Sequence, residues 1–247
     1  MRNHLSLRSG NPALQAKTFK GELSADSNTM TIEGTINKTS LSLLVLMLAA
    51  FYTWNNMSPG LMLVGAIGGF IVAMITIFKK HLAVYTTLIY SGLEGLFLGG
   101  ISRFYQIHYG DEIVGQAIFL TFSIFATLLF AYKSRIIKPT ENFKLGVFAA
   151  TAGIALLYFI SIIMSFFGSG IPLMNPSNAS MFSIGFSIFV VVIASLNLVL
   201  DFDFIEEGAE KGAPKYMEWY GAFGLIITLV WLYLEILRLL AKLQSRK

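Results

Sequence analysis

The chain has 247 residues, of which 55% are hydrophobic and 13% charged, and it contains no cysteine. A soluble domain carries roughly 25% charged residues, so the composition speaks against one, and the missing cysteine excludes disulfide frameworks and thiolate metal or redox centres. The net charge of +4 comes from residues at the ends of apolar runs and in the tails, where orientation and anionic lipid account for it, so nucleic acid is not an expected partner.

The apolar runs are about twenty residues long, the length a helix needs to cross a ~30 Å hydrocarbon core. Helices also satisfy their own backbone polar groups in lipid, and the short alternating segments of a membrane barrel are missing. The expected fold is therefore an all-α polytopic membrane protein of seven transmembrane helices. One membrane domain over residues 39–243 would follow a polar cytoplasmic leader, 1–38, and precede a basic tail, 244–247.

The leader carries Arg2, Arg8, Lys17, Lys20 and Lys38 and has no early apolar stretch before a small-residue cleavage site, so no cleavable signal peptide is expected. Within it Met30–Ile36 alternates in polarity and reads as a disordered tail, or else as a short strand or interfacial segment. Span one is expected from Thr39 to Trp54, closed by the turn Ser58-Pro59-Gly60. Span two runs from Leu61 to Phe78 and stops at Lys79-Lys80-His81; span three, from Leu82 to Phe104, contains Glu94. Span four covers Ile113 to Tyr132, and a basic loop with Lys133, Arg135, Lys138 and Lys144 follows. Span five, from Leu145 to Phe167, is closed by Gly168-Ser169-Gly170 and a loop with Pro172 and Pro176. Span six runs from Ser180 to Leu200 and is expected to end at Asp201-Phe202-Asp203; Pro214 suits the first turn of span seven, Trp219 to Leu240.

Lysine and arginine set the orientation. With the N-terminus cytoplasmic, the loops on the outer side hold a single basic residue, Arg103. Seven spans then place Lys242, Arg246 and Lys247 outside, with Trp231 and Tyr233 as an outer aromatic belt. Gly65–Gly69 and Gly95–Gly99 have the small-xxx-small spacing, which is read as packing within the chain rather than dimerisation.

An ionisable group at membrane depth is costly and is a functional candidate for that reason. Glu94 lies roughly 18 Å into span three at 1.5 Å per residue, either on an ion path or in a structural hydrogen bond to a neighbouring helix. Glu235 has Arg238 at i+3 on the same face and reads as one half of a salt bridge. Asn197 and Asp201 are four apart and form a polar stripe assigned to the interior, whereas Asp203 is assigned to the water side. A carboxyl held at Asp201 is a candidate pH sensor. His4, His81 and His108 are scattered and read as solvated rather than as metal ligands. No catalytic constellation is found, so an enzyme is not expected.

The stretch Asn197-Leu-Val-Leu-Asp201-Phe-Asp203-Phe-Ile-Glu-Glu-Gly, then Ala213-Pro-Lys-Tyr-Met-Glu-Trp-Tyr-Gly-Ala-Phe-Gly and Leu232-Tyr-Leu-Glu-Ile-Leu-Arg-Leu-Leu, resembles the Bax inhibitor/YccA-like membrane family, in a bacterial branch with a long polar leader. The resemblance implies two three-helix layers around a central last helix, and a pH-responsive calcium leak. In that family an acid at the end of span six pairs with one in span seven, and a base near the end of span two helps latch the closed state. Asp201 matches the first position, and Lys79 or Lys80 the base, with Arg238 a further candidate latch. The second acid would fall near Thr228, and Phe223 to Leu234 holds none. Glu94 and Glu235, within about 6 Å of one another in depth, are a candidate deeper acidic site in its place.

The expected function is a passive, pH-modulated cation (calcium) leak in a bacterial inner membrane, with Asp201, Asn197, Glu94 and Glu235 along the path. Calcium, at Asp201 or Glu94, would be the ion carried or bound, and no other cofactor is expected. The alternative is a non-transporting regulator of a membrane protease or other membrane machinery, acting through the leader and cytoplasmic loops.

Overall fold

The computed structural model describes residues 29–168 and 170–246. Arg2, His4, Arg8, Lys17 and Lys20 of the leader, Ser169 and Lys247 lie outside the described residues. Among those described, the chain is helical with one isolated β-bridge, Thr29 to Pro214. Seven helices are long and apolar enough to cross a membrane: α1 (Ile32–Asn55), α2 (Pro59–Phe78), α3 (Ala83–Tyr109), α4 (Ile113–Lys133), α5 (Glu141–Phe166), α6 (Met181–Glu210) and α7 (Met217–Gln244). Large apolar side chains stand exposed along them, among them Phe51, Phe70, Phe119, Phe159 and Phe166. In water such a surface would be an extended apolar patch; against lipid it is the solvent-matched face.

Two helix boundaries correct the sequence reading. First, α1 starts at Ile32, not Thr39, so most of the Met30–Ile36 alternation is helix rather than strand or tail. Thr31 caps it, its side chain accepting from the Gly34 N–H at 3.0 Å. Second, α6 does not stop at Asp201-Phe202-Asp203 but continues to Glu210. Phe202, Phe204 and Ile205 are all buried, so packing carries the helix past its acids. The stop comes at Gly212, whose φ of +64° forms the left-handed turn. There the Ala213 N–H reaches the Gly208 carbonyl at 3.0 Å and the Gly212 N–H reaches Ala209 at 3.2 Å, the paired bonds of a Schellman end. Lys144, expected in a loop, lies buried in the first turn of α5.

The chain divides into two compact units. The first holds the described residues to Phe104 together with Asp201–Ile227. Its glycines let helices meet backbone to backbone: a Cβ at Gly65 would sit 2.5 Å from the Leu93 carbonyl oxygen, and one at Gly95 or Gly99 would overlap the carbonyls of Leu46 or Ala50. The small-xxx-small pairs thus pack α2 on α3 and α3 on α1 within the chain. The second unit holds Tyr105–Leu200 and the chain from Thr228 onward. Its core is Ile154, Val190 and Ile193, with Ala150, Tyr158, Phe186 and Trp231 packed against it. Trp231 is therefore a packing residue and Tyr233 is buried, so neither forms an outer aromatic belt. The most apolar stretches of α7 and α6 are 61% and 56% buried, against 39% or less elsewhere.

Candidate functional site

In the first unit, Asp201 is 0% exposed, with both carboxylate oxygens shut off from solvent. Its helix explains the placement: Leu198, Phe202 and Ile205 flank it on the buried side of α6, while Asp203 is half-buried. One turn earlier on α6, Asn197 is also buried. Its amide N–H groups donate to Thr151 Oγ1 and to the Ile193 carbonyl, each at 2.8 Å. Its Oδ1 has no hydrogen-bond partner among the described residues. The i, i+4 spacing expected from the sequence thus puts two buried polar side chains one turn apart on α6, Asn197 in the second unit and Asp201 in the first.

Glu94 is half-buried on α3 and faces α2, where a Cβ at Gly69 would lie 3.0 Å from its Oε2. Glycine at 69 leaves the space the carboxyl occupies. Glu94 belongs to the first unit and Glu235 to the second. Glu235 is 2% exposed and is held within its own unit. Arg238 Nη1 donates to both of its oxygens, at 2.8 and 2.9 Å, and the Tyr158 hydroxyl donates to Oε1. Arg238 also reaches the Tyr158 hydroxyl at 3.0 Å and lies 5.4 Å from the centre of that ring. The salt-bridge reading of Glu235 and Arg238 therefore describes the observed geometry, and a phenol from α5 completes it. Thr228, where the resemblance calls for a second acid, is buried. Lys79 ends α2 and is exposed, and Lys80 is half-buried in the short 3-10 turn Lys80–Leu82 that leads into α3.

One charged centre went unread in the sequence, and a second was misplaced. Glu218, in the first turn of α7, is fully buried. It accepts from the Thr31 N–H and hydroxyl, both at 2.8 Å, pairs with Lys215 at 2.8 Å, and pairs with Lys38. Lys38 also lies 5.5 Å from the centre of the Trp219 ring. The i, i+3 spacing of Lys215 and Glu218 was a legible signal; the arrival of α1 was not. At the other end of α7, Lys242 is no outward tail residue but 0% exposed. Its ammonium donates to the Leu173 and Ser183 carbonyls, at 2.6 and 3.2 Å, and to Ser187 Oγ at 2.8 Å. Three acceptors match its three N–H groups.

Among the described residues, His, Asp and Glu side chains do not gather in threes. A calcium ion at Asp201 or Glu94 would thus have at most two carboxylates and would rely on amide, hydroxyl, carbonyl or water oxygens for the rest of its shell.

A family model described as Bax inhibitor 1 like matches residues 11–245. The chain belongs to that family. The match runs through every helix described above, so membership in the Bax inhibitor 1-like family covers the whole membrane domain and not only the last two spans, where the motif resemblance was densest. A comparison with curated proteins gave no significant match.

Proposed function

We propose that this Bax inhibitor 1-like protein is a passive, pH-modulated cation leak that carries calcium and performs no catalysis. One observation carries the reading: Asp201 is wholly enclosed in a helix long and apolar enough to span a membrane. A carboxylate in such surroundings must be matched by a proton or by positive charge. Its charge state is therefore a variable that can couple pH to ion passage. Asn197 adds an amide oxygen one turn away, a suitable partner for water or a hard cation. A site with at most two carboxylates holds calcium weakly, which suits passage more than storage.

In this reading Glu94 is a further oxygen station on the path, and Lys79 and Lys80 are the candidates for a closed-state latch. Glu235 and Arg238 serve as a fixed pair. In this reading the protein sits in a bacterial inner membrane with its N-terminus in the cytoplasm, an orientation that the lysine and arginine distribution supports. Calcium flux into proteoliposomes, followed from about pH 6 to pH 8 for the full chain and for Asp201→Asn, tests the proposal. Wild-type flux should change with pH and the variant's should not. Liposomes no leakier with the protein than without it, at any pH, would remove the leak.

A further inference from the structure

The first unit contains a second polar feature that the leak reading does not use. The buried face of α1 is made of hydroxyls over its first half: Thr35, Thr39 and Ser42, before Leu46. On α3, Thr87 and Ser91 are buried, and the helices are in register, since Gly95, one turn beyond Ser91, meets the Leu46 carbonyl one turn beyond Ser42. The start of α7 closes the third side. Thr87 Oγ1 donates to the Trp219 carbonyl at 3.1 Å, and a Cβ at Gly221 would lie 3.2 Å from the methyl of Thr35.

Helices buried against one another in lipid often present small residues at such a seam, Ser and Thr included, with their hydroxyls bonded across it or folded back on their own backbone. Thr35, Thr39 and Ser91 do fold back, onto the carbonyls of Thr31, Thr35 and Thr87. Ser42 does not: its Oγ is buried without a hydrogen-bond partner among the described residues. An orphaned hydroxyl in a polar seam is a place for water or a small cation.

The far end of this seam is fastened. The first described residues cross to the α6–α7 turn, where the Met30 N–H donates to the Ala213 carbonyl at 2.6 Å and Thr29 bridges to Pro214. Glu218 then bonds Thr31, Lys38 and Lys215 at the mouth of the seam. Gly34 leaves room for that carboxylate, because a Cβ there would overlap it. Apart from the Lys215–Glu218 pair, these bonds link α1, or the residues just before it, to the first turn of α7 or to the turn before that.

We propose that the hydroxyl seam between α1, α3 and the first turns of α7 is an access path for water and small cations toward Ser42, and that the Glu218 tie to Thr31 and Lys38 holds it shut. The inference rests on the leak reading for its purpose but not for its test. Because the chain has no cysteine, a single introduced thiol reports alone. Ser42→Cys in the full-length protein should react slowly with a small cationic methanethiosulfonate reagent. Adding Glu218→Gln, or the milder Lys38→Met, should speed that reaction about tenfold or more, the factor expected for losing a charge-assisted hydrogen bond that governs a local opening. Thr121→Cys, buried on α4 in the other unit, should not change. An unchanged Ser42→Cys rate in both backgrounds, with monodisperse protein, would overturn the proposal, as would equal acceleration at Thr121→Cys, which would mean general loosening. Faster labelling at Ser42→Cys without greater calcium flux would uphold the tie and count against the leak.

Discussion

The two ends of α7 solve the same problem with opposite charges. At its start an acid, Glu218, is buried and collects two lysines and a threonine from α1 and the preceding turn. Toward its end two bases are held: the half-buried Arg238 by Glu235 and Tyr158, and the buried Lys242 by two carbonyls and a serine. An acid near a helix start and bases near its end also suit the helix dipole. Between them, Phe223 to Leu234 carries no charge. Buried charge on α7 is thus confined to the two ends and is answered there by named partners. The ends still differ in kind: Glu218 is answered by two lysines, Lys38 and Lys215, whereas Glu235 has one cationic partner among the described residues, Arg238. Losing one lysine leaves Glu218 a counter-charge; losing Arg238 leaves the Glu235 carboxylate none.

That contrast orders the expected effects of substitution. The largest belongs to Arg238→Leu, which strands the Glu235 carboxylate and should destabilise the fold by about 3–5 kcal/mol. The double variant Glu235→Leu with Arg238→Leu should recover most of this in thermal unfolding in detergent; a double no better than the single would mean that the pair does not matter as a pair. Lys242→Met keeps the volume but removes the donor from three buried acceptors, and about 1–3 kcal/mol should be lost in the same assay. Thr31→Ala removes both the cap of α1 and one bond to Glu218, and should cost about 1 kcal/mol. The smallest effect is expected at Lys211→Ala. Its pairing with Glu207 is half-exposed and should be worth less than about 1 kcal/mol. A Lys211→Ala loss as large as that of Lys242→Met would erase the distinction between solvent-facing and enclosed ties.

The seven spans were legible because hydrocarbon selects long uncharged runs, and five of the helices both begin and end within about five residues of where hydropathy places them. The exceptions are instructive. Thr35 looks like leader, and Thr39 and Ser42 like the first residues of span one, when hydropathy is averaged, yet their spacing marks one helix face, and that face meets protein rather than lipid. Asp201 and Asp203 look like a helix end because charge usually is one; burial of Phe202, Phe204 and Ile205 decides otherwise. Asp201, Asn197 and the Glu235–Arg238 pair could be picked out as isolated polar groups in apolar runs. What answers them could not: Tyr158 is 77 positions from Glu235, and Thr31 is 187 from Glu218, and no local pattern reports such pairings. Lys242 was misplaced for the same reason, since a basic residue near a chain end reads as solvated until its three acceptors are seen.

The account separates one buried acid with a functional role from another with a structural one. The most direct test is to record calcium flux in proteoliposomes against pH for Asp201→Asn beside the charge-free pair Glu235→Gln with Arg238→Gln. The account predicts that the first loses its pH response while the second keeps it. A flat profile for the Glu235 and Arg238 variant, with Asp201→Asn responding like the wild type, would contradict it.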